Sequence, residues 1–329
     1  MENKLSNIRT QKILVTITVL LFAIKITAWY VTKSIAILTD ALESTVNVIA
    51  GLIGLYSLIV SSRPKDKDHP YGHGKVEFLS AAFEGLLISI AGLAIIYEAV
   101  NNLQHPHLIK QLDVGLILII FTAVINYAVG KWCVINGKKT NSPALQASGK
   151  HLISDTYSTL GLVAGIALLM ITKYLWLDSV VAIIFAMVII YTGYKIIRQA
   201  ISGIMDEADE TIIEEIKNVL SEHRQPDWVD VHNMRTINYS GFYHIDCHIT
   251  VPANYSIVQA HVVQENLTAV LTGHFKNRIE FFIHIDPCLT SQCALCIMKD
   301  CPIRQHSFVK QIEWTAENFI TDQKHQPIL

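Results

Sequence analysis

Six apolar segments, at roughly 12–32, 35–61, 77–100, 112–136, 146–172 and 175–199, fill the first two thirds of the chain. Most reach the ~20 residues that an α-helix needs to cross the hydrocarbon core of a bilayer. In that medium every backbone N–H and C=O must be satisfied within the chain, so the segments are expected to be helices packed as a bundle. Of the 329 residues 51% are hydrophobic and 16% charged, against about 25% charged in soluble domains. The fifth segment departs from uniform apolarity, because His151, Asp155, Ser158 and Thr159 put a polar stripe on its first half. Such a stripe belongs against neighbouring helices or a wet cavity, not against lipid.

The short loops set the orientation. Arg9 and Lys12 precede the first span, and Arg63, Lys65, Lys67 and Lys75 lie between the second and third. Lys131, Lys138, Lys139 and Lys150 lie between the fourth and fifth, and Lys195 and Arg198 end the sixth. The opposite loops carry Lys33, Lys110 and Lys173. The positive-inside rule then puts both termini and residues 200–329 in the cytoplasm. The net charge of −2 gives no argument for a nucleic-acid partner. Nothing at the N-terminus reads as a cleavable signal, since the first apolar run leads into Trp29 and Tyr30. The six cysteines face a reducing compartment or the membrane, so structural disulfides are not expected, and Cys133 reads as a packing residue.

Two polar pairs interrupt the apolar segments, Glu43/Asn47 in the second and His151/Asp155 in the fifth. Four residues apart, each pair projects from one helix face. Ionisable side chains within a span mark ion or proton pathways. Two such helices facing each other supply mixed oxygen and nitrogen ligands for a divalent transition metal. The plainer alternative is hydrogen bonding that glues helices together. Asp40, one turn before Glu43, is a further candidate, and Lys25 in the first span either snorkels or pairs with an acid. Between the second and third spans, Asp66, His69 and His73 have ligand chemistry, and Gly72 and Gly74 allow a tight wrap. An ordinary polar loop is the alternative there.

From about Asp206 the pattern becomes that of a soluble domain. A helical stretch from Asp209, strands at Trp228–Ile237 and Phe242–Val251, a helix at Ile257–Leu271 and a strand at Ile279–Ile285 give the order α-β-β-α-β. That order suggests helices on one face of a three-stranded sheet. Histidines concentrate here, at 232, 244, 248, 261, 274 and 284. His284 shares a strand face with Asp286, and His248 can meet His284 across neighbouring strands. Half-buried or solvated histidines without a ligand role are the alternative.

Taken in order, SIAILTDALESTVN, HPYGHGKVEFL, HLISD, VQAHVV and FIHIDPC resemble the successive motifs of the cation diffusion facilitator family, over about residues 12–288. The similarity is strongest to its bacterial zinc/iron-type members. It implies an α-helical membrane protein of six transmembrane helices with a C-terminal cytoplasmic α+β domain, metallochaperone-like and ferredoxin-like. The divisions are 1–205 for transport, 206–288 for the cytoplasmic dimerisation domain and 289–329 for a cysteine-containing extension. It implies a homodimeric exporter of divalent metal by proton antiport in a bacterial inner membrane, not an enzyme. No catalytic cofactor is implied; the metal is cargo and also a structural or regulatory ligand. The transport site falls on Glu43, Asn47, His151 and Asp155, and the loop site on Asp66, His69 and His73. The cytoplasmic sites fall on His232, His248, His261, His284 and Asp286. Lys75 and Asp206 match a lysine–aspartate interlock of the family.

The second-span pair departs from the family, where His or Asp is usually followed by Asp. Glu43 and Asn47 leave three oxygen ligands and one nitrogen, two of the oxygens carboxylate. That set is harder than a histidine-rich one and shifts preference towards Fe²⁺, Co²⁺ or Mn²⁺. Zinc is placed first, with iron close behind. A non-transporting metal sensor of the same fold is the alternative function. A membrane metallohydrolase is disfavoured because no HExxH, nucleophile motif or second metal triad is present.

Beyond the resemblance lie Cys288, Cys293, Cys296 and Cys301, with Pro302 after the last. One CxxC with two further cysteines has the composition of a structural zinc site and also evokes iron–sulfur ligands, without fitting either spacing closely. Grouping of Cys288 with His284 and Asp286, redox-active thiols and inert thiols are the other readings. Ser307–Ile320 is expected to form a short helix and Thr321–Leu329 to fray.

Overall fold

The apolar runs form helices because no other open structure satisfies its backbone in lipid. A computed structural model describes residues 2–32, 35–104, 113–172 and 176–327. Lys33, Lys110 and Lys173 lie outside those residues, as do the side chains of Asp40 and Glu43. The chain divides into two compact units, Met1–Met205 and Asp206–Leu329.

The first unit has six helices: α1 (Glu2–Thr32), α2 (Ile35–Ser61), α3 (Val76–Gln104), α4 (Asp113–Lys139), α5 (Pro143–Thr172) and α6 (Trp176–Ile204). Among the described residues α1, α2, α3 and α6 carry windows long and apolar enough to cross a membrane. α5 packs on α2, α3, α4 and α6, which gives its polar stripe protein neighbours. Small residues set the closest approaches, as expected where lipid offers no hydrophobic drive between helices. A Cβ at Gly130 of α4 would lie 2.7 Å from the Gly149 carbonyl of α5, and one at Gly149 would lie 2.7 Å from the Gly130 carbonyl. The two backbones therefore touch directly, two residues before His151 and six before Asp155.

The second unit contains α7 (Glu210–Glu222), β1 (Asp230–Asn238), β2 (Tyr243–Val251), α8 (Ile257–Phe275), a 3₁₀ turn (Lys276–Arg278) and β3 (Ile279–Pro287). A second 3₁₀ turn (Thr290–Ala294) and α9 (Ala316–Ile320) follow. Asp209 caps α7 by accepting from the Thr211 N–H, and a Ser256/Gln259 capping box starts α8. The sheet order is β1-β2-β3, with β1–β2 antiparallel and β2–β3 parallel. Alternation along β2 sends Ile245, Cys247 and Ile249 into the core and His244, Asp246 and His248 to the other face. The core takes Ile213, Ile216 and Leu220 from α7 and Val263, Leu267 and Leu271 from α8.

Trp314 and Phe319 are buried in the same core, and α9 packs on β1 and α7. Position 288 thus marks where the family-like motifs end, not where the core ends. The expected helix over Ser307–Ile320 is corrected to Ala316–Ile320. Thr315 caps that turn through the Asn318 N–H, and residues 307–315 have no regular structure. The expected fraying after Thr321 is also corrected: the Thr321 carbonyl accepts from the Asn233 N–H at 2.7 Å, and His325 is held by Asp230.

Candidate functional site

Helical spacing on α2 and α5 brings Asn47, His151 and Asp155 together. His151 Nε2 lies 2.9 Å from Asn47 Oδ1, and Asn47 Nδ2 donates to Asp155 Oδ2 at 2.5 Å. Asn47 and His151 are buried. One amide thus bridges an imidazole and a carboxylate that belong to the same turn of α5. The fourth expected member, Glu43, has its side chain outside the described residues.

Next to this trio lies a polar layer that the motif reading passed over. Glu84 of α3 is fully buried; its Oε1 accepts from Ser148 at 2.8 Å, and Ser148 accepts from Gln11 of α1 at 2.9 Å. Glu84, Ser148, Asn47 and His151 line one cavity of about 10 Å³, close to the space one water needs. Two turns earlier on α3, buried Glu77 accepts from Ser61 at 2.7 Å and from Ser142. Two carboxylates seven residues apart in an apolar run were a legible signal. Lys25 is also buried and donates to Ser44 of α2 at 2.8 Å.

In the loop, Gly72 at φ +93° lets the chain turn back so that Asp66 meets both histidines. Asp66 Oδ1 accepts from the His69 N–H at 2.7 Å and lies 3.1 Å from His69 Nδ1, while Oδ2 is 3.2 Å from His73 Nε2. Their ligand atoms all lie within 4.8 Å of one another. The His69 backbone N–H holds the Asp66 carboxyl below its ordinary value, which keeps it charged and ready for a cation.

In the second unit, strand register builds a row of histidines. His232 pairs with His248 across β1–β2, and His248 with His284 across β2–β3. A bulge at Asn233, at φ +49°, follows His232 and lets the Asn233 amide lie 3.2 Å from His248 Nε2. Asp286 is the convergence point, with Oδ2 2.9 Å from His248 Nδ1 and 3.5 Å from His232 Nε2. His232, His248 and Asp286 bring three ligand atoms within 4.8 Å of one another. His284 stands at the rim, 3.9 Å from Asp286. His261, on the exposed face of α8, pairs with Glu265 and is not brought to this cluster within one chain. His244 pairs with Asp246 and Glu280.

Two residues of the tail, missed in the sequence because no motif marks them, close on this cluster. Lys324 Nζ lies 3.3 Å from Asp286 Oδ1, and His325 Nδ1 lies 2.7 Å from Asp230 Oδ1. Burial lowers the His232 imidazole below its ordinary value, with Asp230 and Asp286 offsetting part of that. Burial alone would raise Asp286, but the His248 hydrogen bond and the Lys324 ammonium hold it below the usual carboxylate value. Neutral imidazole beside charged carboxylate is the protonation state that a metal takes. The four tail cysteines are free thiols around one cavity near β2 and β3.

A six-helix unit with polar and ionisable side chains between its helices, joined to an α+β unit with its own histidine–aspartate cluster, fits a membrane transporter of cations. The chain belongs to the cation efflux, or cation diffusion facilitator, family: residues 12–205 match the cation efflux transmembrane domain and residues 208–288 the cation efflux protein cytoplasmic domain. It is 30% identical over 266 residues to an uncharacterized transporter of Synechocystis sp., covering 80% of this chain and 85% of that protein. It is 29% identical over 276 residues to the cation-efflux pump FieF of Citrobacter koseri, covering 82% and 89%. To FieF of Serratia proteamaculans it is 27% identical over 275 residues, with the same coverage of 82% and 89%. The protein is therefore an integral-membrane cation-efflux transporter, not an enzyme, and it carries the family's dimerisation domain.

Proposed function

We propose that this protein exports a divalent transition-metal cation, zinc first and iron close behind, in exchange for protons. The transport site is Glu43, Asn47, His151 and Asp155. The observation that carries this reading is the trio across α2 and α5, buried Asn47 and His151 with half-buried Asp155, linked at 2.9 Å and 2.5 Å. Metal enters from the cytoplasm and binds the carboxylates of Glu43 and Asp155, the neutral His151 imidazole and the Asn47 carbonyl oxygen. To offer that oxygen and free Asp155, the amide gives up its two present partners. Protons from the far side then compete for His151 and the carboxylates, and the metal leaves. Asp66, His69 and His73 form a loop site, and His232, His248, His261, His284 and Asp286 serve cytoplasmic sites, some of them shared across a homodimer. The setting is a bacterial inner membrane with both termini cytoplasmic.

The test is uptake by proteoliposomes under an imposed pH gradient, comparing Zn²⁺, Fe²⁺, Mn²⁺ and Co²⁺. Gradient-driven flux that disappears in a His151→Ala/Asp155→Ala variant is the expected outcome. Flux that survives in that variant overturns the site assignment. No flux of any ion, with metal still held by the cytoplasmic unit, converts the reading to a sensor.

A further inference from the structure

The transport reading uses none of the four cysteines at the start of the tail. Between Leu295 and Thr315 the chain has no helix or strand, so its order must come from somewhere other than backbone ladders. Part of it comes from Arg304. Its guanidinium donates to the carbonyls of Cys293 at 2.8 Å, Cys296 at 2.9 Å, Met298 at 2.5 Å and His306 at 3.3 Å. The loop is thereby wound around one side chain. The remainder surrounds a space: Cys288, Cys293, Cys296 and Cys301 all line a single cavity of about 110 Å³, with Ile303 and Arg304 in its wall. Four free thiols on one cavity, drawn from a 3₁₀ turn, a strand end and an irregular loop, are a ligand set rather than scattered packing residues.

The width of the set decides what it holds. A tetrahedral zinc, with Zn–S near 2.3 Å, draws its sulfurs to about 3.8 Å from one another. Among the described residues, the groups whose three ligand atoms lie within 4.8 Å of one another are the Asp66 and Asp286 clusters, and neither contains a cysteine. As they stand, no three of the thiols are drawn up to the spacing of one tetrahedral ion. The order of the ligands points the same way. The full run does not follow the bacterial pattern, but Cys288-x₄-Cys293-x₂-Cys296 does match the plant-type order of iron–sulfur ligands, which corrects the expectation that no such spacing is met, and four cysteines are the full complement of such a centre. A cluster bound by four thiolates is an anion, and the Arg304 guanidinium in the cavity wall offsets its charge.

We propose that Cys288, Cys293, Cys296 and Cys301 hold an iron–sulfur cluster. It is assembled from iron and sulfide, and each thiol gives up its proton on ligation. It uses none of the side chains of the proposed transport site or of the histidine cluster of the sheet.

The experiment is to purify the full-length protein in detergent under anaerobic conditions and measure iron, zinc and acid-labile sulfide together with visible and electron paramagnetic resonance spectra. Iron and sulfide in near-equal amounts, roughly two to four per chain, with a broad visible absorption that bleaches on reduction, are expected. A Cys293→Ser/Cys296→Ser variant should lose both. A His248→Ala/Asp286→Ala variant should keep both, which separates the cluster from cargo iron on the sheet. Because sulfide is not cargo, the result stands apart from the flux assay. One zinc per chain without sulfide overturns the cluster in favour of a single ion. A metal-free chain whose thiols count as a disulfide overturns it in favour of a redox pair.

Discussion

In the proposed transport site, cargo and coupling meet at Asn47. It bridges His151 and Asp155 through both ends of its amide, so it orders the site without titrating. Asn47→Asp adds a carboxylate that must gain or lose a proton in each cycle, so the protons exchanged per metal should rise. Simultaneous recording of metal and proton flux in proteoliposomes checks this, and an unchanged ratio would count against Asn47 as a ligand. Lys324 poses the same question in the other unit, because its ammonium sits on the Asp286 carboxylate, a ligand of the proposed cytoplasmic site. Lys324→Met should tighten metal binding at the sheet cluster by roughly three- to tenfold near neutral pH, as removal of a like charge does. The gain fades in acid. Without Lys324 the Asp286 carboxyl rises towards its ordinary value, so the gain should shrink as pH falls and Asp286 protonates. Calorimetric titration at two pH values reads both effects.

At the scale of elements, the tail is part of the fold it follows. Phe319 is fully buried in the core shared by α7, α8 and the sheet, and Trp314 stacks edge-on against it. Arg224 lies 3.9 Å over the Trp314 ring and donates to the Ile312 and Val229 carbonyls, tying the tail to the end of α7. Phe319→Ala should cost the unit about 3–5 kcal/mol, seen as a lowered melting transition of the full chain by near-ultraviolet circular dichroism. The helices and the α-β-β-α-β order were legible because period and length speak directly in apolar segments. The ligand pairs were legible because ionisable groups are rare in spans. The tail was not, since Trp314 and Phe319 are isolated apolar residues in a polar stretch and carry no period. Gln11 escaped for a different reason: an uncharged polar residue near the end of a span announces itself only through its partner on another helix, whereas Glu84 carried a signal that the motifs overshadowed.

For the whole molecule, assembly is the next level. The cytoplasmic unit leaves Phe282 68%, Ile257 90% and Val258 74% exposed, unusual for large apolar side chains on a soluble domain. Phe282 shares the polar sheet face with His284, and Ile257 and Val258 open the helix that carries His261. A second copy covering these residues would bring His261 and His284 into its interface, where a shared metal gives them a role that one chain does not. Phe282→Asp should shift the purified protein from dimer to monomer in multi-angle light scattering, with the fold retained. A dimer that survives would move the interface elsewhere.

The contact between Gly130 and Gly149 has a mechanical consequence. With no side chain between the two backbones, α4 and α5 have nothing to slide on and nothing to compress. Gly149 precedes His151 by two residues, so the tightest point of the pair and the imidazole belong to one turn. A rotation of α5 that swings His151 and Asp155 from one side of the membrane to the other must drag α4 along. Under the proposed transport reading α4 and α5 should move as one two-helix lever, riveted by a pair of hydrogen atoms.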